Sequence, residues 1–241
     1  MRKVIKKSHI LIVGAAPSLK KYWKIINEFI KNNKVVTVGV NGINIFLIPN
    51  YHFWLDKKRY KRYGHRIDKR SKIIFGGSCG DSIINKWDGE YEVVRYSVLK
   101  KIKYRDVSNY YKENVRYDKK KDKFYGNFRT AGSLAILWSY IKKASKISVV
   151  GMDGYTFYSN EDLLSKAVGQ HCYSRGFSDR KAAASKYRKL SKDEFYDHCI
   201  KKDADVYKTL RAIKKYGVKF EILTPTVYKD FYNPKILNIV E

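Results

Sequence analysis

The sequence predicts an α/β fold in which a mostly parallel sheet carries helices on its faces. Three observations carry that prediction. Short β-branched runs alternate along the chain with stretches of helical periodicity. The first run stops at Gly14-Ala15-Ala16-Pro17-Ser18-Leu19-Lys20, a strand-to-helix turn of small residues with a proline suited to the first helical turn. At 241 residues and 44% hydrophobic content, the chain can bury the core of one such domain.

Strands are expected over residues 9–14, 34–40, 52–55, 72–75, 92–97, 146–151 and 219–223, each a short run rich in Val, Ile or aromatic side chains. A helix over 19–32 follows from Leu19, Trp23, Ile26, Phe29 and Ile30 at helical spacing, and one over 131–143 from Leu134, Ile136, Leu137, Tyr140 and Ile141. These stripes read as core. A further helix over 203–215 leads into the last strand. Two long intervals lack a clear strand. Residues 100–125 are rich in Lys, Arg, Tyr and Asp, and 155–192, which holds His171, Tyr173 and Arg175, is expected to be a lid inserted before the last helix and strand. Four prolines mark no linker and no repeat is visible, so residues 1–241 are expected to form one domain.

Fifty-one Lys and Arg against 23 Asp and Glu give a formal charge of +28, which favours anionic partners: nucleic acid, acidic glycolipid or an anionic membrane surface. The lysines are scattered over every predicted helix rather than gathered in one stripe, so specific nucleic-acid recognition is the weaker expectation. Cys79, Cys172 and Cys199 form no Cys-x-x-Cys pair and fit a reducing cytoplasm. The basic N-terminus precedes an apolar run too short for a signal sequence, and nothing approaches the roughly 20 apolar residues of a membrane span. A cytoplasmic protein is expected, with any membrane contact peripheral and made by basic side chains at the inner face.

In a parallel sheet, ligands sit beyond the carboxyl ends of the strands, near the point where strand order reverses. The residues just past the predicted strands are Gly14, Ala15 and Ser18, then Asn41 and Gly42, then Asp56, and later Asp153, Gly154 and Tyr155. The Gly14 turn leads into a helix whose first N–H groups suit a phosphate. Its spacing is neither Gly-x-Gly-x-x-Gly nor a P-loop, so a nucleotide site of another kind is expected. Asn41 and Asp56 can bond a ribose or a base edge, although Asn41-Gly42 also reads as plain turn chemistry. Tyr155 and Tyr158 can donate phenol hydroxyls to a phosphate. Arg129-Thr130-Ala131-Gly132-Ser133 marks a second helix start facing the same cleft: Thr130 as N-cap, Gly132 and Ser133 small enough for close approach, and Arg129 for an anion.

His198, ahead of the last helix, and His171, in the expected lid, compete as general base; His9, His52 and His65 read as structural or solvated. Asp203-Ala204-Asp205 has the form of a metal-ligand pair, but at a helix start behind Lys201 and Lys202 its carboxylates read as capping and dipole partners. Neither a Gly-x-Ser-x-Gly elbow nor His-Glu-x-x-His is present, so a hydrolase has no foothold.

The order of these motifs resembles the small bacterial lipooligosaccharide sialyltransferases of glycosyltransferase family 42. The resemblance runs from the Gly14 to Lys20 turn through Asn41, the Arg129 to Ser133 helix start and Gly151-Met152-Asp153-Gly154-Tyr155, to His198 and a last strand closing at Pro225. It implies a Rossmann-like sheet of glycosyltransferase-A-like type with a lid. The implied reaction is inverting transfer of sialic acid or a related acidic sugar from a cytidine monophosphate donor to a surface glycan. No metal or other cofactor is implied. His198 would be the base and Tyr155 a phosphate donor, with Tyr158, Tyr173 and Tyr196 open as the second tyrosine. Ala15 and Asp56 stand where the family has Asn, which leaves the donor sugar and its nucleotide open.

The implied partners are a nucleotide sugar, an anionic glycan or glycolipid acceptor, an anionic membrane in peripheral contact, and a second copy of the chain. A diphosphokinase-like phosphotransferase carries a similar first turn and would need Mg²⁺ carboxylates, for which Asp56 and Asp153 are the candidates. A basic nucleic-acid-binding protein is the reading that charge and 21 tyrosines support.

Overall fold

The central apolar runs become strands because both of their faces are covered. In the computed structural model, which describes residues 5–97, 105–157 and 191–237, nine strands form one sheet. They are β1 (His9–Val13), β2 (Val36–Val40), β3 (Tyr51–Trp54), β4 (Lys72–Gly76), β5 (Tyr91–Tyr96), β6 (Arg116–Asp118), β7 (Lys123–Tyr125), β8 (Lys146–Val150) and β9 (Glu221–Ile222). Their order is β6-β7-β5-β4-β3-β2-β1-β8-β9. Every pairing is parallel except β6 with β7. The described helices are α1 (Pro17–Lys21), α2 (Trp23–Asn32), α3 (Lys57–Tyr63), α4 (Asp81–Ile84), α5 (Arg105–Glu113), α6 (Ala131–Ile141) and α7 (Lys192–Lys215).

Alternation along each strand divides the core in two. Ile10, Ile12, Val38, Phe53, Ile74 and Val149 pack with Leu134 and Trp138 of α6 and Leu210 and Ile213 of α7. On the other face, Leu11, Val13, Trp54, Phe75 and Val150 pack with Leu19, Ile26, Tyr63 and Ile83. Helix α6 is buried from Gly132 to Ser139 because it lies on β1, β2, β3 and β8 and beneath α7. It is accordingly apolar all round rather than along one stripe.

The α/β class and all seven expected strands are present, with shifted ends. The differences have local causes. The helix expected over 19–32 breaks at Tyr22, which leaves helical geometry (φ −105°, ψ 18°) and separates α1 from α2. The interval 100–125 holds α5 and the β6–β7 hairpin, which extend the sheet edge with mostly polar residues. The last helix starts at Lys192 rather than Asp203, behind a capping box in which Ser191 accepts from the Glu194 N–H and Glu194 accepts from the Ser191 N–H. Most of the expected lid, residues 158–190, lies outside the described residues, and with it Tyr158, His171 and Tyr173.

Successive strands from β1 to β5 run outward on one side of β1, while β8 and β9 lie on the other. Strand order therefore reverses between β1 and β8, where the turns after the two strands touch through their backbones. A Cβ on Gly14 would stand 2.3 Å from the Gly151 carbonyl oxygen, and one on Gly151 (φ +68°) 2.5 Å from that of Gly14. Gly14→Ala is expected to cost about 1–3 kcal/mol in urea unfolding, because backbone rather than a flexible side chain must move. Gly77→Ala, whose Cβ would meet nothing nearer than 4.0 Å, should stay within about 0.5 kcal/mol. Equal stabilities for the two variants would contradict this packing.

Candidate functional site

The first turn does not hold its amides open for a phosphate. The Gly14 N–H donates to Val150 (2.8 Å), Ala16 to Gly151 (3.1 Å) and Leu19 to Ala16 (3.0 Å), while Pro17 has no N–H. The Ser18 N–H donates to the Asp153 carboxylate at 2.8 Å, and the Ser18 hydroxyl donates to the other carboxylate oxygen. Asp153 is fully buried and takes the anion's place at the start of α1. Of residues 14–19, Ala15 alone keeps an amide outside these bonds. The expectation that this turn presents unpaired N–H groups is thus corrected: backbone carbonyls take those of Gly14, Ala16 and Leu19, and the Asp153 carboxylate takes that of Ser18.

A second buried carboxylate builds the other half of the cleft. Asp203 accepts from the N–H of Tyr155 (2.8 Å), the N–H of Thr156 (2.7 Å), the Thr156 hydroxyl (2.6 Å) and the Tyr228 hydroxyl (2.8 Å). Burial, then the neighbouring Asp203 charge, pushes the Tyr228 phenol well above its usual pKa and keeps it a donor. The strand-like segment after β9 closes the same turn: Thr224 Oγ1 accepts from the Gly151 N–H, Thr226 donates to the Met152 carbonyl, and the Val227 N–H donates to that of Asp153. Gly154, at φ +98°, passes so close to Val227 that a Cβ would lie 2.3 Å from its Cγ2. Asp203 is therefore not a helix cap. It lies in the interior of α7 and fixes the backbone on which Tyr155 stands. Asp205 pairs with Arg129 at 2.8 Å, so that arginine links the start of α6 to α7.

His198 is corrected in the same way: it lies within α7, not before it. Five residues separate it from Asp203, about 7.5 Å along the helix axis. It shares a helix face with Lys202, four residues on, and the Lys202 ammonium stands 4.5 Å from the centre of the Tyr155 ring. His198 and Lys202 thus lie on one face of α7, with the Tyr155 ring beside Lys202. The start of α6 lies next to α7, joined to it by the Arg129–Asp205 pair. Thr130 is the N-cap of α6, accepting from the Ser133 N–H at 3.1 Å, and a Cβ on Gly132 would stand 2.8 Å from the tip of the flexible Met152 side chain. The first-turn amides of Ala131 and Gly132 are those a helix leaves without internal partners.

Asn41 ends β2 in a left-handed conformation (φ +56°), and its carbonyl accepts from His52 Nε2 at 2.5 Å. Asn41 Oδ1 and both amide atoms of Asn44, a residue the sequence reading passed over, are buried without a partner among the described residues. Buried polar atoms in that state call for a ligand or water. Asp56 is not aimed at such a ligand; it caps α3 by accepting from the N–H groups of Lys58 (2.8 Å) and Arg59 (3.3 Å). Beside it, burial and then the Asp56 charge push the Cys79 thiol up to about 11, which disfavours its thiolate. Among the described residues, no three His, Cys, Asp or Glu side chains gather to hold a metal ion.

Compared with protein-family models and with curated proteins, the sequence matches neither a family nor a curated protein.

Two outcomes follow from the buried polar groups. Asp203→Ala orphans four donors at once and should lower unfolding stability by about 2–5 kcal/mol; a loss under about 0.5 kcal/mol would remove Asp203 as the organiser of the turn. His52 is fully buried, and burial lowers its pKa to about 4 against a smaller opposing effect of the Asn41 carbonyl. The unfolded chain, with an ordinary histidine near 6.5, binds that proton first, so stability is full above about pH 6.5 and falls as pH drops towards 4. At about 1.4 kcal/mol per pH unit the loss reaches roughly 3 kcal/mol. His52→Gln, which keeps an N–H donor but does not titrate, should flatten the slope between pH 7 and 5; an unchanged slope would contradict the assignment.

Proposed function

We propose that the protein is an inverting, metal-independent glycosyltransferase on a Rossmann-like sheet. In this reading it moves an acidic sugar of the sialic acid type from a cytidine monophosphate donor to a surface glycan or lipooligosaccharide acceptor. The observation that supports the reading is the Lys202 ammonium over the Tyr155 ring, with the Tyr155 backbone fixed by Asp203, at the reversal of strand order. With His198 one helical turn before Lys202 on the same face of α7, a hydrogen-bond donor, a cation and a base are available to a metal-free transfer.

In this reading the neutral His198 imidazole takes the proton of the acceptor hydroxyl as its oxygen forms the new bond to the anomeric carbon. The bond from that carbon to the phosphate oxygen breaks, and its electron pair leaves with cytidine monophosphate. The Tyr155 hydroxyl and the Lys202 ammonium meet the charge that builds on the phosphate, a contribution that depends on their being placed beforehand. The start of α6, with Thr130, Gly132 and Ser133, and the unsatisfied amides of Asn41 and Asn44 supply partners for the nucleotide. Gly14, Ala15, Ser18 and Asp153 serve as the floor. The phosphotransferase alternative has less to draw on, since Asp56 and Asp153 already accept hydrogen bonds within the protein. Location follows the substrate: cytoplasmic, at the inner face of the membrane where a lipid-linked acceptor is made.

The test is a thermal-shift comparison of cytidine, uridine, guanosine and adenosine monophosphates in the presence of EDTA, followed by transfer assays. Cytidine monophosphate should raise Tm selectively. Tyr155→Phe should lower turnover roughly 10²–10³-fold with donor binding kept, and His198→Ala by about 10²–10⁴-fold. A requirement for Mg²⁺ together with a preference for adenosine triphosphate would sink the reading and promote the phosphotransferase.

A further inference from the structure

We infer that the face carrying α3 is a docking surface for an anionic lipid bilayer. Residues 57–70 hold eight Lys and Arg (Lys57, Lys58, Arg59, Lys61, Arg62, Arg66, Lys69 and Arg70) and one acid, Asp68, so eight minus one gives +7 in fourteen residues. That is a quarter of the net +28 of the chain, gathered on one short element and the turn behind it. Asp68 is itself taken by Arg70, whose guanidinium it meets at 2.8 Å. Lys57, Lys58, Lys61, Arg62 and Arg66 are all exposed.

Charge alone would suit any polyanion. The second observation separates lipid from nucleic acid. The 3₁₀ segment Asn41–Ile45 packs against α3 and against the 3₁₀ turn Gly64–Arg66. Within and just beyond it, Ile45 and Ile48 are 46% and 42% exposed. Two bare isoleucines three residues apart, within and just beyond a segment packed against the basic helix, offer nothing to a phosphodiester backbone or to a stacked base. Hydrocarbon at the level of the head groups accepts them, while the cations meet the lipid phosphates. Asp56, which caps α3, stands at the carboxyl end of β3, so the basic element starts at the same end of the sheet as the cleft. The docking itself does not depend on the reaction proposed above.

Co-sedimentation of the full chain with phosphatidylcholine vesicles, with and without phosphatidylglycerol, tests it. Each Lys at an anionic surface contributes about fivefold in affinity, so Lys57/Lys58/Lys61→Gln should weaken binding to the anionic vesicles roughly 100-fold. Lys119/Lys120/Lys121→Gln makes the same change in net charge on the exposed turn between β6 and β7; it should weaken binding far less. Ile45→Ser/Ile48→Ser leaves the charge unchanged and should abolish the part of the binding that survives high salt, with Ile48→Ser alone as the variant if the pair unfolds. Equal losses for the two lysine triples would overturn the proposal by showing a general charge effect. So would an intact isoleucine-variant affinity, or a single-stranded oligonucleotide that binds through Lys57, Lys58 and Lys61 more tightly than the vesicles do.

Discussion

The Asp153 carboxylate, held without solvent contact by the Ser18 amide and hydroxyl, is the interaction on which the sheet end depends. It ties the turn after β8 to the turn after β1 at the one place where strand order reverses, and it requires glycine at 14 and 151 so that two backbones can meet. A buried carboxylate without such donors would be strongly unfavourable. With them, it neutralises the positive end of α1 from inside the protein. The consequence is functional as well as structural. The helix start that looks most like a phosphate site is already filled, and the remaining donors lie one layer away, at α6 and at the turn bearing Tyr155.

A second carboxylate repeats the device on the other side of the same turn. Asp203 draws together two amides, a threonine hydroxyl and a tyrosine hydroxyl that come from two separate stretches of chain. Because Asp203 belongs to the long helix that also carries His198 and Lys202, the turn and the helix are positioned as one body. The spacing of the cleft groups is then a property of α7 geometry rather than of a loop. That rigidity suits the metal-free transfer we propose, since stabilisation of developing charge depends on groups that need not reorganise.

Much of this was legible in the sequence where local physics decides. β-Branched runs buried on both faces read as parallel strands, Pro17 read as the first helical turn, and Thr130 read as an N-cap, because each signal acts within a few residues. What escaped was set at long range. Asp203 looks like a capping residue beside Asp205, and only folding reveals partners about fifty residues upstream in the chain. The start of α7 at Ser191 was hidden by a polar first half, whose capping box of Ser191 and Glu194 was the available signal. Asn44 sits in an ordinary-looking turn and becomes notable only through burial of both its amide atoms. The β6–β7 hairpin is an edge with short, weakly periodic strands, in which Phe124 alone is fully drawn into the core and cross-strand pairing does the rest.

The central claim, that the sheet end holds a nucleotide phosphate between the α6 start and the Tyr155 turn with no metal ion, is tested most directly by a ¹H–¹⁵N NMR titration with cytidine monophosphate in EDTA. The account predicts that the largest shifts fall on the amides of Ala131 and Gly132 and on the side-chain amides of Asn41 and Asn44, with Ser18, Tyr155 and Thr156 little moved because Asp153 and Asp203 hold them. Shifts confined to residues 57–70, or none until Mg²⁺ is added, would contradict it.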